Sequence, residues 1–312
     1  MPLDPTVASL LASMKAQGGP EMHELGVAEV REVMDGVSAM GGEGAVVATI
    51  ESREVASVPI MVYTPQGDGP FGVLVWLHGG GWVMGAPHHY HATCQDLAAG
   101  ASCVVVSIDY RLAPEHKAPA AVEDCLAATS WVLDHTRELG GDPSRVVVGG
   151  DSVGGNLAAV VSQVLGRRLS GQLLITPIVD ALHSHPSVEE NGEGYYMTKA
   201  AMHHFSGLYL DGSGVERTDP RVSPIYASDD VVSGAPAAFV LTAEFDPMRD
   251  EGDAYAKRLA GLGVPVEHHR YDGMIHGFYT VKAVVPAAQK AIDQTVTWLR
   301  EVLRSADAES RS

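Results

Sequence analysis

Between Val146 and Asn156 the chain reads VVVGGDSVGGN, which sets Ser152 between a strand pattern and a helix pattern. Three valines in a row suit a strand covered on both faces. The glycines break it, and NLAAVVSQVL (156–165) then places apolar residues on a helical repeat. Such a turn can cradle a phosphate or hold up a nucleophile. A dinucleotide site needs G-x-G-x-x-G and an acidic residue about twenty positions on. The glycines at 149, 150, 154 and 155 lack that spacing, and 169–172 reads LSGQ. A P-loop needs Gly-Lys-Ser/Thr, and Asn156 stands where the base is wanted. Gly150-x-Ser152-x-Gly154 fits the other reading, a strained turn that lifts a serine hydroxyl while small residues two positions either side avoid a clash.

A serine needs partners to become a nucleophile. LTAEFDP places Asp246 at the end of a strand pattern, and YDGMIHGF places His276 in a glycine-flanked loop after the next one. By itself Asp246 reads as a helix cap and His276 as a loop residue. With Ser152 they form the order serine, acid, histidine, that of the α/β-hydrolase triad. His276 is the expected base, with Asp246 fixing its tautomer and stabilising the imidazolium. WLHGGGWVMG supplies a third element, since Gly79, Gly80 and Gly81 follow a strand and admit an oxyanion close to backbone amides. A bulky residue at Gly80 is expected to obstruct that site and leave the fold intact.

The elements that must position these groups alternate. AVVATIE, VPIMVY, GVLVWLH, CVVVSID, RVVVGG, GQLLITP, AAFVLTA and VPVEHHR read as strands. Helical stretches lie at Ala120–Glu138, Gly154–Leu165, Arg249–Leu262 and Ala287–Leu303. The pattern predicts an α/β fold with a mostly parallel eight-stranded sheet and helices on both faces. Residues 1–44 are helix-like and interrupted by QGGP and GGEG, and read as the N-terminal part of a helical cap. Residues 45–312 form the catalytic domain, with a cap or lid insertion at about 181–235, where TKAAMHHFSGLYL is helical.

Composition narrows the function. The formal charge of −18 lacks the basic footprint that nucleic acid requires. Cys94, Cys103 and Cys125 show no CxxC spacing and read as buried thiols in a reducing compartment, the cytoplasm. No leader pattern and no run of 18 apolar residues argues for stable membrane insertion. Fourteen histidines, HHYH (88–91) among them, invite a metal. They lie in loops without the HExxH spacing, so no metal is expected. RDEGD (249–253) reads as a solvated helix start.

HGGGW, IDYRLAPEHKAPAAVED, GGDSVGGN, TAEFDPMRDEG and DGMIHGF resemble, in order and spacing, the signatures of the bacterial hormone-sensitive-lipase-like (family IV) esterases. LDPTVASLLASMKAQGGP is similar to that family's N-terminal cap. The resemblance implies that the amides of Gly80, Gly81 and Val153 form the oxyanion hole. It also implies that Asp151 helps fix the glycine loop, with His78 and Gly79 in support, and that Glu251 in RDEG is structural. Val153 stands where alanine is usual, Thr176 where tyrosine is common, and His204 and Ser206 where tryptophans are usual. Trp82, Met197, Met202, His204, Phe205, Ser206 and Tyr209 are the expected pocket residues, with room added at 204 and 206 by the missing indoles. The implied activity is hydrolysis of short- to medium-chain acyl esters through an acyl-enzyme, on a small-molecule ester and without a cofactor. An amidase or deacetylase using the same triad, a ligand-binding receptor on the scaffold, and a homodimer remain open.

Overall fold

The computed structural model describes residues 2–304. Eight strands form one sheet: β1 (Thr49–Val55), β2 (Val58–Thr64), β3 (Phe71–Leu77), β4 (Cys103–Ile108), β5 (Gly141–Asp151), β6 (Gly171–Ile175), β7 (Ala237–Phe245) and β8 (Val266–Ile275). Their order is β1-β2-β4-β3-β5-β6-β7-β8. β1 and β2 are antiparallel to their neighbours, and the other six strands run parallel. The central strands β4 and β6 are buried throughout, because helices cover both faces and every position must be apolar or paired. β1 starts at Thr49, later than AVVATIE suggests. It is an edge strand, exposed except at Val55, and its Glu51, Arg53 and Glu54 discourage further pairing.

The helices are α1 (Pro5–Gln17), α2 (Val27–Ala39), α3 (His91–Ala101), α4 (Ala120–His135), α5 (Val153–Leu165), α6 (Pro186–Asn191), α7 (Lys199–Leu210), α8 (Asp229–Ser233), α9 (Arg249–Gly261) and α10 (Pro286–Val302). α10 buries Ala288, Ala291, Ile292, Thr295 and Leu299, the spacing of one helical face, and packs on α3. α1 opens on Asp4, whose carboxylate accepts from the Thr6 N–H, with Pro5 in the first turn. The first segment rests on the last part of the sheet. The Asp4 N–H donates to the Gly273 carbonyl and the Ala283 N–H to that of Met40. Arg31 of α2 ties this segment down further, donating to the carbonyls of Val83 and Ala113 and pairing with Glu115. Residues 181–235 hold α6, α7 and α8 and no strand.

All three cysteines are buried and unpaired. Among the described residues no helix is long and apolar enough to cross a membrane. The reading of RDEGD as solvated is corrected. Glu251 is fully buried, accepting from the Val179 N–H at 2.8 Å, and Asp250 accepts from the Ser187 N–H. Burial drives the Glu251 carboxyl well above the usual carboxylate range.

Candidate active site

Ser152, Asp246, His276 and the glycine run all follow the carboxyl ends of parallel strands, β5, β7, β8 and β3. In an open α/β sheet that edge is where ligands bind. The register Leu77↔Gly150 sets the glycine run beside the Ser152 turn. The turn explains its own glycines. A Cβ on Gly150 would lie 2.2 Å from the Leu77 carbonyl oxygen, and one on Gly154 only 1.8 Å from it. Ser152 itself holds φ 54° and ψ −117°, a conformation that costs a side-chain-bearing residue on the order of 1–3 kcal/mol. The turn is held by the Ser152 N–H donating to Ile175 O at 2.8 Å.

His276 Nδ1 lies 2.8 Å from Asp246 Oδ2, and His276 Nε2 lies 2.9 Å from Ser152 Oγ. A carboxylate only accepts, so Nδ1 carries the proton and Nε2 is free to accept from the serine hydroxyl. All three side chains are buried. Burial opposes the imidazolium of His276, but the charge and hydrogen bond of Asp246 outweigh it, with Asp151 adding, and the pKa rises above the ordinary value. Asp246 also accepts from the Met248 N–H at 2.8 Å. The turn-capping role and the histidine contact therefore belong to one carboxylate.

Gly80 and Gly81 hold φ of +122° and +63°. The Gly80 carbonyl accepts from the N–H groups of Val83 and Met84, which folds the loop into a tight turn. The Gly80 and Gly81 N–H groups donate to no carbonyl among the described residues. Val153 opens α5, where a first-turn N–H has no partner within the helix. Three uncommitted donors around a serine can bind a developing oxyanion. A Cβ on Gly80 would sit 2.1 Å from the Met84 carbonyl oxygen, so the expectation that a bulky residue there spares the local fold is corrected.

Asp151 accepts from the Gly79 N–H and from the Tyr90 hydroxyl, both at 3.0 Å. Burial pushes its carboxyl up to about 6 against these bonds, which leaves it ionised at neutral pH. His78 is fully buried, stacks on Tyr110 at 4.2 Å and contacts the Gly79 carbonyl through Nδ1. Burial takes its pKa down to about 4, so it stays neutral. Tyr90 is missing from the sequence-based set. It sits inside HHYH, where the neighbouring histidines drew attention, and no local pattern links it to Asp151 sixty-one positions on.

Ser152, His276, Gly80 and Gly81 open onto a cavity of about 80 Å³. Its wall comes from separate segments: Leu10 and Met14 of α1, Met34 and Val37 of α2, Met84 after the glycine run, Ile275 at the end of β8, and Phe278 and Val281 beyond it. Met22, Met40 and Met197 complete a wall rich in thioethers. Of the seven expected pocket residues, only Met197 lies on it. Trp82 stacks flat on Tyr209 at 4.8 Å, away from the cavity. Met202 is buried in the core, and His204 is half-exposed with its ring against Phe205. Phe205 backs Gly81, whose Cβ would meet its ring at 3.0 Å. Ser206 is bonded to His183 at 2.7 Å, so the position left by a missing indole holds an imidazole and adds nothing to the cavity. The Val153 side chain packs into the hydrophobic core and does not line the cavity.

Fold and site together define a hydrolase of the nucleophile-turn type. A family profile described as alpha/beta hydrolase fold matches residues 74–280, and the chain belongs to that family. It is 38% identical over 269 residues to the carboxylesterase NlhH of Mycobacterium tuberculosis, covering 82% of this chain and 83% of that protein. It is 32% identical over 321 residues to the ethyl acetate hydrolase of Pseudomonas putida, covering 97% and 100%. Among solved structures, a thermostable esterase from Pseudomonas putida superposes with a TM-score of 0.91 at 33% identity, covering 97% and 98%. A hyperthermophilic esterase from Pyrobaculum calidifontis does so with 0.90 at 35%, covering 96% and 99%.

Proposed function

We propose that this chain is a serine carboxylesterase acting on small uncharged acyl esters. The observation that carries the reading is the hydrogen-bonded chain from Ser152 Oγ through His276 to Asp246, facing an apolar cavity. Ser152 Oγ attacks the ester carbonyl as His276 Nε2 takes its proton. Asp246 stabilises the imidazolium, and the amides of Gly80, Gly81 and Val153 receive the oxyanion. The imidazolium returns its proton to the departing alkoxide, leaving an acyl-Ser152 ester. Water, deprotonated by the same histidine, then releases the acid.

Residues 1–44 and 181–235 act as the cap in this reading. The cavity lining includes no lysine or arginine among the described residues, which favours a neutral acyl group. Its volume is below the roughly 150 Å³ that holds benzene in an apolar protein cavity. Short acyl chains fit as it stands, and medium chains fit as flexible methionines move aside. The three unpaired buried thiols support a reducing compartment, the cytoplasm, as the place of action.

A fluorophosphonate probe and a panel of nitrophenyl esters and anilides test the assignment. One covalent adduct on the native chain, none on Ser152→Ala, and esters cleaved far faster than anilides are expected. Anilides cleaved as well as esters would make it an amidase, and an unreactive Ser152 would make it a binding scaffold.

A further inference from the structure

Helix α2 brings Asp35 to the histidines of HHYH, which the sequence holds more than fifty positions away. One ligand atom each from Asp35, His88 and His89 lies within 4.8 Å of the other two. His89 Nε2 is 3.0 Å from Asp35 Oδ1, and the His88 and His89 rings are 3.9 Å apart at centroid. His88 and His89 are consecutive in a 3-10 turn, Pro87–Tyr90, where neighbouring side chains point about a third of a turn apart. Their rings nevertheless come together beside the carboxylate. A surface ion pair accounts for His89 and Asp35 and leaves the placing of the exposed His88 ring against His89 unexplained.

We infer that Asp35, His88 and His89 bind a divalent transition-metal ion of the zinc class and so clip α2 to the segment after the glycine run. Two imidazoles and one carboxylate are the donor set of a three-ligand zinc site, with a fourth position left to water. Tetrahedral ligands about 2.0–2.1 Å from the ion stand roughly 3.4 Å apart, and the three present ligand atoms already lie within 4.8 Å of one another. Asp35 and His88 are exposed, so the ion and its water have access. HHYH drew attention to His88 and His89 in the sequence, and the expectation of no metal there is revised because Asp35, the ligand that completes the set, comes from another element.

The clip has a structural consequence. α2 supplies Met34 and Val37 to the cavity wall and is already bonded to the same segment by Ser38, whose hydroxyl donates to the His89 carbonyl. The ion reinforces that seat without entering the ester chemistry. Metal-stripped full-length protein is titrated with Zn²⁺ by calorimetry and with Co²⁺ by its visible absorption, alongside thermal melts. One strong equivalent and a raised melting temperature are expected in the native chain. His88→Gln and Asp35→Asn should each weaken binding at least tenfold and abolish the rise, with ester turnover in the metal-free state unchanged. Absence of a strong equivalent overturns the inference. So does binding that survives in both variants, which would place the ion on other histidines. Binding lost with His88→Gln but intact in Asp35→Asn overturns the clip, because the ion would then not reach α2.

Discussion

Gly80→Ala is the sharpest probe of the oxyanion site, because the structure fixes the size of the disturbance. The new Cβ would lie 2.1 Å from the Met84 carbonyl oxygen, and real Cβ atoms essentially never come within 3.0 Å of such an atom. The difference, 3.0 minus 2.1, requires a displacement of at least 0.9 Å. The obstacle is backbone, so no side chain can swing clear. An oxyanion hydrogen bond of about 2.7–3.1 Å lengthened by that amount ceases to be one. One lost donor is worth about 10²–10³ in turnover. The φ of +122° adds strain on the order of 1–3 kcal/mol, which lowers the melting temperature by several degrees. The assay is kcat and KM on nitrophenyl butyrate with parallel melts, and kcat should fall far more than KM rises. Gly67→Ala is the control, since Gly67 has φ +111° with nothing within 4 Å of its Cβ position. It should lose stability and keep its kcat. Native turnover in Gly80→Ala, or an equal loss of kcat in Gly67→Ala, would refute the reasoning.

Asp246→Asn should lower kcat by about 10⁴, because the amide favours the wrong imidazole tautomer; steady-state rates on the same ester check it. Activity should rise with pH through one ionisation centred above the ordinary histidine value, since attack needs neutral His276 and Asp246 raises its pKa. A pH profile of kcat/KM that is flat from pH 5 to 9 would remove His276 as the base. Met34→Ala should shift the kcat/KM ratio toward longer acyl esters by roughly fourfold for each extra methylene buried, read from a chain-length series. Ser206→Trp should leave that series unchanged and lower the melting temperature, since the indole must displace the bond to His183 in a packed site at a cost of about 1–3 kcal/mol.

The Ser152 turn was legible because its constraint is local. Gly150 and Gly154 are required by one carbonyl oxygen, that of Leu77, and so leave a mark within five residues of sequence. Asp246 and His276 were legible through strand ends, which hydrophobic runs reveal well. The pocket was not. Its wall combines residues near positions 10, 34, 84, 197 and 280, and no period links segments so far apart. The stripe Met202, Phe205 and Tyr209 had the right spacing for an apolar wall, but the core took that face of α7. RDEGD shows the opposite error: its run of charges suggested solvent, while Glu251 within it, read as structural from the resemblance, is buried with one oxygen accepting from the N–H groups of Val179 and Asp180.

The seating of α1 and α2 on the segment after β8 bears on how the molecule is made. Met40 meets Ala283, and the cavity wall closes with Val285. At about 5–20 residues per second, a ribosome needs roughly 12–50 s to travel from one end of that contact to the other. Throughout that interval α2 can seat only on the segment after β3, through Arg31 and Ser38, and the wall that Ile275, Phe278, Val281 and Val285 supply is missing. The cavity beside Ser152 can therefore close only after Val285 has been made, once the two distant ends of this contact have met.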